Sequence, residues 1–554
     1  MRIDLRIKGG TVVDPKNGVR EEIRDLWISN GQIVASPDDP DARALRTIDA
    51  RGYVIMPGGV DVHCHIAGSK VNAARGFRPE NGRESPLSHA SFPQSGTAGI
   101  TPTTSSTGYL YSGLGYTTAV DASIPPLAAR QAHHELADTP LIDKAFLVLL
   151  GNNHFLMDRI HEADHNAIRD AVAWLLGAAK GFGVKVVNPG GVERWKQGKG
   201  NVVTIDDTVD AFGVTPRSIM TALALAIDEL GLPHPMHLHG LNLGLPGNAD
   251  TTLDILKALD GHRVHLAHVQ FHSYGPEEPK TNLFGAAVEE LAEYVNTHNA
   301  VSVDVGQVMF GETTSMTADG AVGHFLARLT GRKWVNIDVE NETGCGVVPI
   351  TYSDKNLVHG LQWAIGLEWF LRVDDPWKVA LSTDHPNGGS FLSYPKIMAL
   401  LMDRGLRGDH LKTLPEGVRA RSKLGELDRE YSLNEVAIIT RAGPARMLGL
   451  KRKGHLGPGA DADITIYSPD CDKERMFAMP RYVVKAGEVI VDDGELRSST
   501  LGRIYHVNAD HDAAIVPRIR QWIDREFTIR SGNYPVSPDD VANPHAIACA
   551  GADS

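Results

Sequence analysis

Two histidines near the start of the chain have the spacing of a partial metal site. The apolar segment Tyr53–Met56 leads through a Pro-Gly-Gly turn into Val60–His65, which carries His63 and His65. Residues two apart on a strand project to the same side, so both imidazoles are expected to point together from a strand end. Imidazole pairs of this kind bind divalent cations. Taken alone, the pair could equally be accidental, because the chain contains 24 histidines.

Further residues of ligand type stand in or at the ends of later apolar segments. Lys185 lies within one segment, His237 and His239 end the next, and His268 and Asp384 end two later ones. Together with the first pair, five segments supply a ligand type, which chance does not readily produce. The sequence favours His237 as the ligand of its segment and His239 as a neighbouring or substrate contact, without deciding between them.

Lys185 is the least ordinary member of this set. A charged lysine inside a buried apolar strand is costly, and a buried ion pair is the plain structural explanation. The chemical interpretation is an N6-carboxylated lysine, because burial beside two cations lowers the amine pKa and the neutral amine captures carbon dioxide. The resulting carbamate has one oxygen for each of two metal ions, which it bridges at a separation of about 3.5–4 Å.

Asp384 is the candidate general base. A carboxylate at the last strand end can bind one metal ion, accept the proton of an attacking water and later return it to a leaving nitrogen. Zinc lowers the pKa of bound water to about 7, and the positive charge of the site stabilises an oxyanion on the attacked carbonyl. Several histidines combined with oxygen ligands suit Zn²⁺, and the sequence leaves iron and manganese open as alternatives.

The elements that must position these residues form an α/β pattern. Apolar segments alternate with helical stretches such as Ala167–Ala179 and Ser218–Leu230. This alternation predicts a parallel (β/α)8 TIM barrel whose carboxyl strand ends hold the site. The predicted strands are Val54–His65, Thr117–Ala122, Ala145–Leu150, Val184–Val187, Pro235–His239, Val264–Val269, Val301–Val305 and Val379–Asp384.

The barrel is predicted to occupy residues 56–440, with a substrate-covering insertion at about 306–378. Hairpin-like segments on both sides, residues 1–55 and 441–510, predict one composite β-sandwich domain built from both chain ends, and Asn30-Gly31 is a typical hairpin turn. Residues 511–554 are predicted to form a C-terminal helix at Val516–Phe527 and a tail that lies on the surface or binds a partner.

Composition narrows the class of protein. Hydrophobic residues make up 42% and charged residues 22% of the chain, as in ordinary globular proteins. The net charge of -13 argues against nucleic acid as a partner, and the chain has no run of 18 apolar residues that would predict a membrane span. Met1–Leu5 does not begin a secretory signal, so a cytoplasmic location is expected. The four cysteines are scattered and predict neither an iron–sulfur cluster nor a disulfide framework.

The ligand set resembles that of binuclear members of the amidohydrolase superfamily, and Gly457–Ile464 resembles the closing strand of their sandwich domain. The matching ligand positions are His63, His65, Lys185, His237, His268 and Asp384. Within the superfamily, almost the full chain is similar to the branch formed by the A-type subunits of formylmethanofuran dehydrogenase and of the bacterial formyltransferase/hydrolase complex. The strings that carry this similarity are Met56–His63, Ala67–Asn72, His237–Asn248, His268–Gly275 and Ser382–Asn387.

This resemblance implies hydrolysis of the formamide bond in an N-formylated furfurylamine cofactor, methanofuran or methylofuran. Formate and the free amine are released, and archaeal relatives run the reaction in reverse. The other subunits of such a complex are the implied partners. The residues implied to contact the substrate or the metal ligands are His239, Lys70, Asn72, Asn242 and His385. The acidic tail of the cofactor predicts Arg or Lys at the mouth of the pocket.

Two other interpretations are compatible with these residues. A cyclic-amide hydrolase related to dihydropyrimidinase or dihydroorotase would use the same metal ligands. Only the sequence segments around the pocket distinguish such an enzyme from a hydrolase of the formylated cofactor. A non-catalytic scaffold on the same fold usually lacks some ligands, whereas none is missing from this sequence. The scaffold interpretation also predicts that the purified chain retains no stoichiometric metal.

Overall fold

The structure is a computed structural model that describes residues 2–39, 42–78, 99–281, 283–337, 345–498 and 500–550. Its strands in chain order are β1 (Ile3–Asp14), β2 (Val19–Ser29), β3 (Gln32–Val34), β4 (Ala44–Asp49), β5 (Val54–Pro57), β6 (Gly59–Cys64), β7 (Tyr116–Ile124), β8 (Asp143–Leu149), β9 (Gly183–Val187), β10 (Met236–His239), β11 (Val264–Leu266), β12 (Val301–Asp304), β13 (Gly311–Thr317), β14 (Val335–Ile337), β15 (Cys345–Tyr352), β16 (Val379–Ala380), β17 (Ile464–Tyr467), β18 (Tyr482–Lys485), β19 (Glu488–Asp492), β20 (Glu495–Leu496), β21 (Ile504–Asn508) and β22 (Pro544–Ala548).

The α-helices of the described residues lie mostly between these strands. They are α1 (Ser69–Phe77), α2 (Thr104–Gly113), α3 (Ala129–Ala137), α4 (His154–His161), α5 (His165–Ala179), α6 (Gly191–Lys196), α7 (Pro216–Glu229), α8 (Asn248–Ala258), α9 (Val288–Thr297), α10 (Gly320–Thr330), α11 (Leu357–Arg372), α12 (Tyr394–Met402), α13 (Arg404–Thr413), α14 (Glu416–Arg421), α15 (Leu433–Ala437), α16 (Gly443–Met447), α17 (Lys473–Ala478) and α18 (Ile515–Glu526).

Eight parallel strands form the barrel, and this confirms the predicted fold class. Each strand of the series β6, β7, β8, β9, β10, β11, β12 and β16 pairs with the next one. The ring closes between its first and last members, where the backbone N–H of His65 donates to the carbonyl of His385 at 2.8 Å. Most strand residues are buried because side chains fill the interior and helices cover the outside.

The crossover helices begin where the sequence provides caps. The side chain of Asp164 accepts a hydrogen bond from the N–H of Ala167 at 3.1 Å at the start of α5. Thr215 and Ser218 form a reciprocal capping box at the start of α7, with Pro216 in the first turn, where a missing N–H is tolerated. Each helix then buries one apolar face against the strands.

A second sheet is built from both ends of the chain. Its strand order is β20-β19-β18-β17-β5-β1-β2-β3, and β4 pairs with β1. The core of this sheet draws apolar side chains from either end, for example Leu5, Ile7, Ile28, Ile464 and Ile466. Strands on either side of the barrel sequence are therefore neighbours in one sheet.

The strand predicted to end at His65 is two strands in the structure. β5 pairs with β17 and β1 of the second sheet, whereas β6 pairs with β7 of the barrel. The change of sheet occurs at Gly58 and Gly59. A Cβ atom at Gly58 would lie 2.3 Å from Oγ1 of Thr117, and one at Gly59 would lie 2.6 Å from the ring of Tyr116. Only glycine allows the chain to pass here, so the backbone runs directly from the second sheet to His63.

The insertion between β12 and β16 folds as a small unit over the carboxyl ends of the barrel strands. It contains the three-stranded sheet β13-β15-β14 and the helices α10 and α11. α10 packs closely on β15, since a Cβ atom at Gly323 would lie 2.6 Å from the Cα atom of Gly346.

Near the C-terminus, α18 packs on α5, and β22 pairs with β21 in parallel. No helix among the described residues has the length and apolar character needed to cross a bilayer.

Candidate metal centre

Six side chains of ligand type lie together at the base of a cavity at the carboxyl end of the barrel. They are His63, His65, Lys185, His239, His268 and Asp384. All six are buried, and the cavity has a volume of about 330 Å³. Their positions follow from the fold, because parallel barrel strands bring their carboxyl ends to one face.

Asp384 lies between the two histidines of the first barrel strand. Its Oδ1 atom is 3.0 Å from Nε2 of His63 and 3.1 Å from Nε2 of His65. Nδ2 of Asn387 donates to the same oxygen at 3.0 Å. The two imidazole centroids are 5.4 Å apart, so both rings project to one side as their spacing indicated.

Left-handed backbone conformations mark the strand ends around the cavity. The φ angle is 39° at Asn188, 57° at Asn242, 37° at His268 and 50° at Asp384. Non-glycine residues rarely adopt such angles, and they persist where the surrounding structure holds them for function. Each of these residues closely follows a different barrel strand.

The donor atoms of this cluster fit a bound cation. The buried nitrogens that form no hydrogen bond with any described residue include Nε2 of His63, Nδ1 of His65, Nζ of Lys185 and Nδ1 of His268. Nitrogen or oxygen atoms of His63, His268 and Asp384 also lie within 4.8 Å of one another. Buried polar atoms of native proteins normally have hydrogen-bond partners. A group of buried nitrogens without such partners is therefore consistent with a site for divalent cations that bind nitrogen and oxygen ligands.

Burial and neighbouring charges shift the ionisation of the cluster. Burial lowers the pKa of the Lys185 amine to about 7, although Asp304 and Asp384 oppose the shift. Burial raises the pKa of Asp384, but His63 and His268 outweigh it, and the pKa lies well below its usual value. Burial holds the pKa of His268 well below its usual value. At neutral pH the cluster therefore offers a carboxylate, a neutral imidazole and a partly neutral amine.

His237 lies one layer deeper than His239 and does not line the cavity. Its Nε2 atom is 3.0 Å from Nδ1 of His63, and its Nδ1 atom is 3.0 Å from Nε2 of His234. Both ring nitrogens of His237 are therefore occupied by protein partners. Nε2 of His237 is also 3.6 Å from Asp304, which gives His63, His237 and Asp304 a second, deeper grouping of donor atoms.

Two carboxylates beside the histidines were not predicted from the sequence. Oδ2 of Asp304 lies 3.0 Å from Nδ1 of His63, and its Oδ1 accepts the N–H of His268 at 2.9 Å. Oδ1 of Asp121 lies 3.8 Å from Nδ1 of His65. Carboxylates in these positions orient metal-binding imidazoles. Both residues lie in otherwise apolar predicted strands, and a charged side chain in such a strand is a signal that could have identified them.

The remaining predicted contacts are close to the cluster but differ in position. Lys70 is buried, and its Nζ donates to the carbonyl and to Oγ of Ser123, both at 2.7 Å, where Ser123 lines the cavity. The side chain of Asn72 instead bonds Glu135 and Arg75. Neither Asn72 nor Lys70 is among the described residues that line the cavity.

Asn242 and His385 form hydrogen bonds with loops next to the cavity and do not line it. Nδ2 of Asn242 donates to the carbonyl of Val203 at 2.8 Å and so holds the loop after β10. The ring of His385 accepts the N–H of Phe391 at 3.3 Å, while its carbonyl closes the barrel. Within the described chain, both side chains act on the loops rather than on the cavity surface.

The wall of the cavity is largely apolar. The barrel contributes Leu243 and Phe271, and the insertion contributes four apolar residues of α10, which are Val322, Phe325, Leu326 and Leu329. Arg332, just after this helix, places a cation among the lining residues. The cavity thus combines a polar base with an apolar side, as small-molecule sites commonly do.

Comparison with known proteins gives full-length matches. A profile described as the amidohydrolase family matches residues 46–491. Protein FwdA of Methanocaldococcus jannaschii is 44% identical over 560 residues, which cover 97% of each chain. The FhcA component of the formyltransferase/hydrolase complex Fhc of Methylorubrum extorquens is 40% identical over 561 residues, covering 98% of this chain and 99% of that one. The crystal structure of the FhcABCD complex with methylofuran, also from M. extorquens, superposes with a TM-score of 0.91 at 39% identity, over 99% of this chain and 100% of the matched chain.

Proposed function

Because the chain belongs to the amidohydrolase family, we propose that it is the hydrolytic subunit of a formyltransferase/hydrolase or formylmethanofuran dehydrogenase complex. The substrate is N-formylated methanofuran or methylofuran, and the products are formate and the free furfurylamine. The observation that carries this proposal is the 40% identity to FhcA over 98% of the chain. A match over this length spans the segments that form the cavity wall as well as those that carry the proposed metal ligands, and the wall is the part in which a cyclic-amide hydrolase would differ.

The six residues at the cavity base are proposed to hold two divalent cations, for which Zn²⁺ suits the nitrogen and oxygen donors. Bound cations of this kind polarise a carbonyl and lower the pKa of a water molecule. On the fifth barrel strand we assign the ligand role to His239 rather than His237. His239 lines the cavity, whereas both nitrogens of His237 face protein partners.

Lys185 is proposed to be N6-carboxylated. Its amine is buried at the cavity base without a hydrogen-bond partner among the described residues, and its pKa of about 7 leaves a substantial neutral fraction at physiological pH. A neutral amine can form a carbamate with carbon dioxide, and the product is an anion with two oxygens. This change would replace an uncompensated buried amine by a ligand that can bridge two cations.

Asp384 is proposed to transfer the proton. Its low pKa keeps it ionised at neutral pH, so it can accept a proton from the attacking water. The same carboxyl group can then donate that proton to the nitrogen of the departing amine, because an amide nitrogen must be protonated to leave. The hydrogen bond from Asn387 to Oδ1 fixes the orientation of the carboxylate for both steps.

The size and the lining of the cavity fit the reactive end of the cofactor. A volume of about 330 Å³ is at the lower end of small-molecule sites, so it accommodates a formamide and one ring rather than the whole cofactor. The remainder of the substrate is proposed to run along α10 to the surface, where Phe325 and Leu329 are 43% and 68% exposed. Arg332 lies at this side of the cavity and is the proposed contact of the acidic tail.

The proposal is tested on the chain purified with its partner subunits. N-formylmethylofuran and N-formylmethanofuran are supplied, released formate is measured, and metal content is determined on the same sample. We expect about two metal ions per chain, and formate release that stops on chelation and returns with Zn²⁺. Dihydrouracil and dihydroorotate form the comparison arm. Hydrolysis of these cyclic amides without hydrolysis of the formylated cofactors would overturn the proposal.

A further inference from the structure

The insertion that forms the cavity wall reaches the metal centre through one buried carboxylate. Asp319 immediately precedes α10 and is 1% exposed. Its Oδ1 atom accepts a hydrogen bond from the N–H of Val322 at 3.2 Å and thereby caps the helix. A side-chain cap of this kind stabilises a helix by about 1 kcal/mol.

The second oxygen of the same carboxylate faces the barrel. Oδ2 of Asp319 accepts a hydrogen bond from Nδ2 of Asn188 at 2.9 Å and lies 3.7 Å from Nε2 of His239. This imidazole nitrogen is buried and has no hydrogen-bond partner among the described residues. The backbone N–H of Asn188 also donates to the carbonyl of His239 at 3.0 Å. One side chain therefore connects a helix of the insertion with the ends of two barrel strands.

We propose that Asp319 is a positioning residue that sets the orientation of the His239 imidazole and ties this orientation to the seating of α10. The proposal rests on the proposed function only in taking His239 as a metal ligand. A carboxylate that faces one nitrogen of an imidazole favours the tautomer that carries the proton on that nitrogen, here Nε2, and leaves Nδ1, with increased basicity, as the nitrogen available to a metal ion. Because the other oxygen of Asp319 caps α10, the helix cannot shift without moving the carboxylate away from His239.

The position of Asp319 distinguishes it from the other carboxylates beside the cluster. Asp304 and Asp121 lie on barrel strands, next to His63 and His65. Asp319 lies on the insertion, and the helix that it caps carries Phe325 and Leu329 of the cavity wall. Of these three carboxylates, Asp319 alone joins a proposed metal ligand to the surface against which the substrate is proposed to lie.

The test separates the capping role from the positioning role. Asp319→Asn and Asp319→Ser keep a side chain that caps helices well but lack the negative charge. Zinc affinity is measured by competition with a chelator, the Co²⁺-loaded chain is examined by absorption spectroscopy, and thermal unfolding reports on the fold. We expect modestly lowered thermal midpoints, because the hydrogen bond from Asn188 is lost, a zinc affinity reduced by about 10- to 100-fold and a changed Co²⁺ spectrum. Asp403→Ala removes the cap of the remote helix α13 and is the control for cap loss alone, for which wild-type zinc affinity is expected.

A double-substitution cycle shows whether Asp319 acts through His239. In a His239→Gln background, Asp319→Asn is expected to cause no further loss of zinc affinity, because the positioned ring is absent. An equal loss in both backgrounds would overturn the proposal, as would wild-type affinity and spectrum in the Asn and Ser variants. No substrate is used in these measurements, so their outcome is independent of whether formylated cofactors are hydrolysed.

Discussion

The hydroxyl of Ser382 donates a hydrogen bond of 2.9 Å to the carbonyl of His63, joining the last barrel strand to the first. The same hydroxyl accepts the N–H of Asp384 at 2.7 Å. Two residues of the proposed metal centre are therefore held by one buried side chain that has no ligand role of its own.

Ser382→Ala is predicted to weaken both the fold and the metal centre. Removing the hydroxyl leaves a buried carbonyl and a buried N–H without partners, at a cost of about 1–3 kcal/mol for each group. Thermal unfolding and zinc content after dialysis measure the two effects. Thr383→Val is the matched control, because Oγ1 of Thr383 is buried without a hydrogen-bond partner among the described residues. Equal behaviour of the two variants would contradict the role assigned to Ser382.

Lys185→Ala is predicted to abolish metal retention and formate release. The variant lacks the amine from which the carbamate forms, and two cations would then share a site with too few anionic ligands. Metal analysis and formate assays measure the loss, and intact mass under bicarbonate tests for the carboxyl group in the wild type. Lys144→Met removes another buried lysine, which donates to the carbonyl of Thr139 at 2.8 Å away from the cavity, and is the control expected to retain metal. Full metal in the Lys185→Ala protein would end the carbamate proposal.

The loading of metal is predicted to depend on pH through Lys185. Burial lowers the pKa of this amine to about 7, so protonation below that pH removes the form that reacts with carbon dioxide. Reconstitution of the metal-free chain with Zn²⁺ and bicarbonate should therefore become faster and more complete between about pH 6 and about pH 8. The rate of zinc uptake at each pH measures the effect, and a profile that is flat over this range would argue against it.

His239→Ala is predicted to reduce zinc affinity more than His237→Ala. His239 lines the cavity, whereas His237 lies beneath His63 and acts on the site through that ring. Loss of a direct ligand removes a metal bond, whereas loss of a supporting residue costs about 10- to 100-fold in affinity. Chelator competition on the two purified variants ranks them. The reverse order would return the ligand role to His237.

The apolar wall is predicted to act on substrate binding. Phe325→Ala and Leu329→Ala each remove apolar surface at the cavity mouth, worth about 1–2 kcal/mol if fully covered by the cofactor. The KM for the formylated cofactor should rise up to about tenfold with kcat nearly unchanged, and N-formylfurfurylamine, which lacks the long arm, should be little affected. Leu501→Ala alters a 59% exposed leucine outside the cavity lining and should leave both constants unchanged.

The buried carboxyl of Glu368, away from the site, is predicted to make the free energy of unfolding depend on pH. Burial raises the pKa of this carboxyl to about 7, although the N–H of Lys423 and the side chain of Arg372 favour its ionised form. The unfolded chain releases this proton near pH 4.5, so the contribution of Glu368 is fully present below that pH and is lost as the pH rises to about 7. The free energy of unfolding is expected to fall by about 3 kcal/mol across this pH window. Relative to Glu368→Gln, the wild type should lose stability across this window in denaturant unfolding, whereas the exposed Glu426→Gln should track the wild type.

The barrel and the shared orientation of His63 and His65 could be predicted because they depend on local periodicity. His63 and His65 share a side through the two-residue repeat of a strand, and continuous apolar segments indicate strands buried on both faces. The depth of His237 and His239 could not be predicted, since strand periodicity turns both rings inward and only the stagger between strands decides which one reaches the cavity. The position of Asp319 beside His239 could not be predicted either, because Asp319 lies in an insertion whose apolar residues follow no regular strand or helix pattern.

The passage of the backbone from β5 into β6 through Gly58 has a consequence for biosynthesis. β5 is held on one side by β17, whose first residue is Ile464. On the ribosome, the residues that carry His63 emerge early, but the strand that anchors their approach emerges only after most of the chain has been translated. The approach to His63 is therefore completed only late in synthesis, and a chain truncated before Ile464 would contain every proposed ligand while lacking the strand that pairs with β5 on that side.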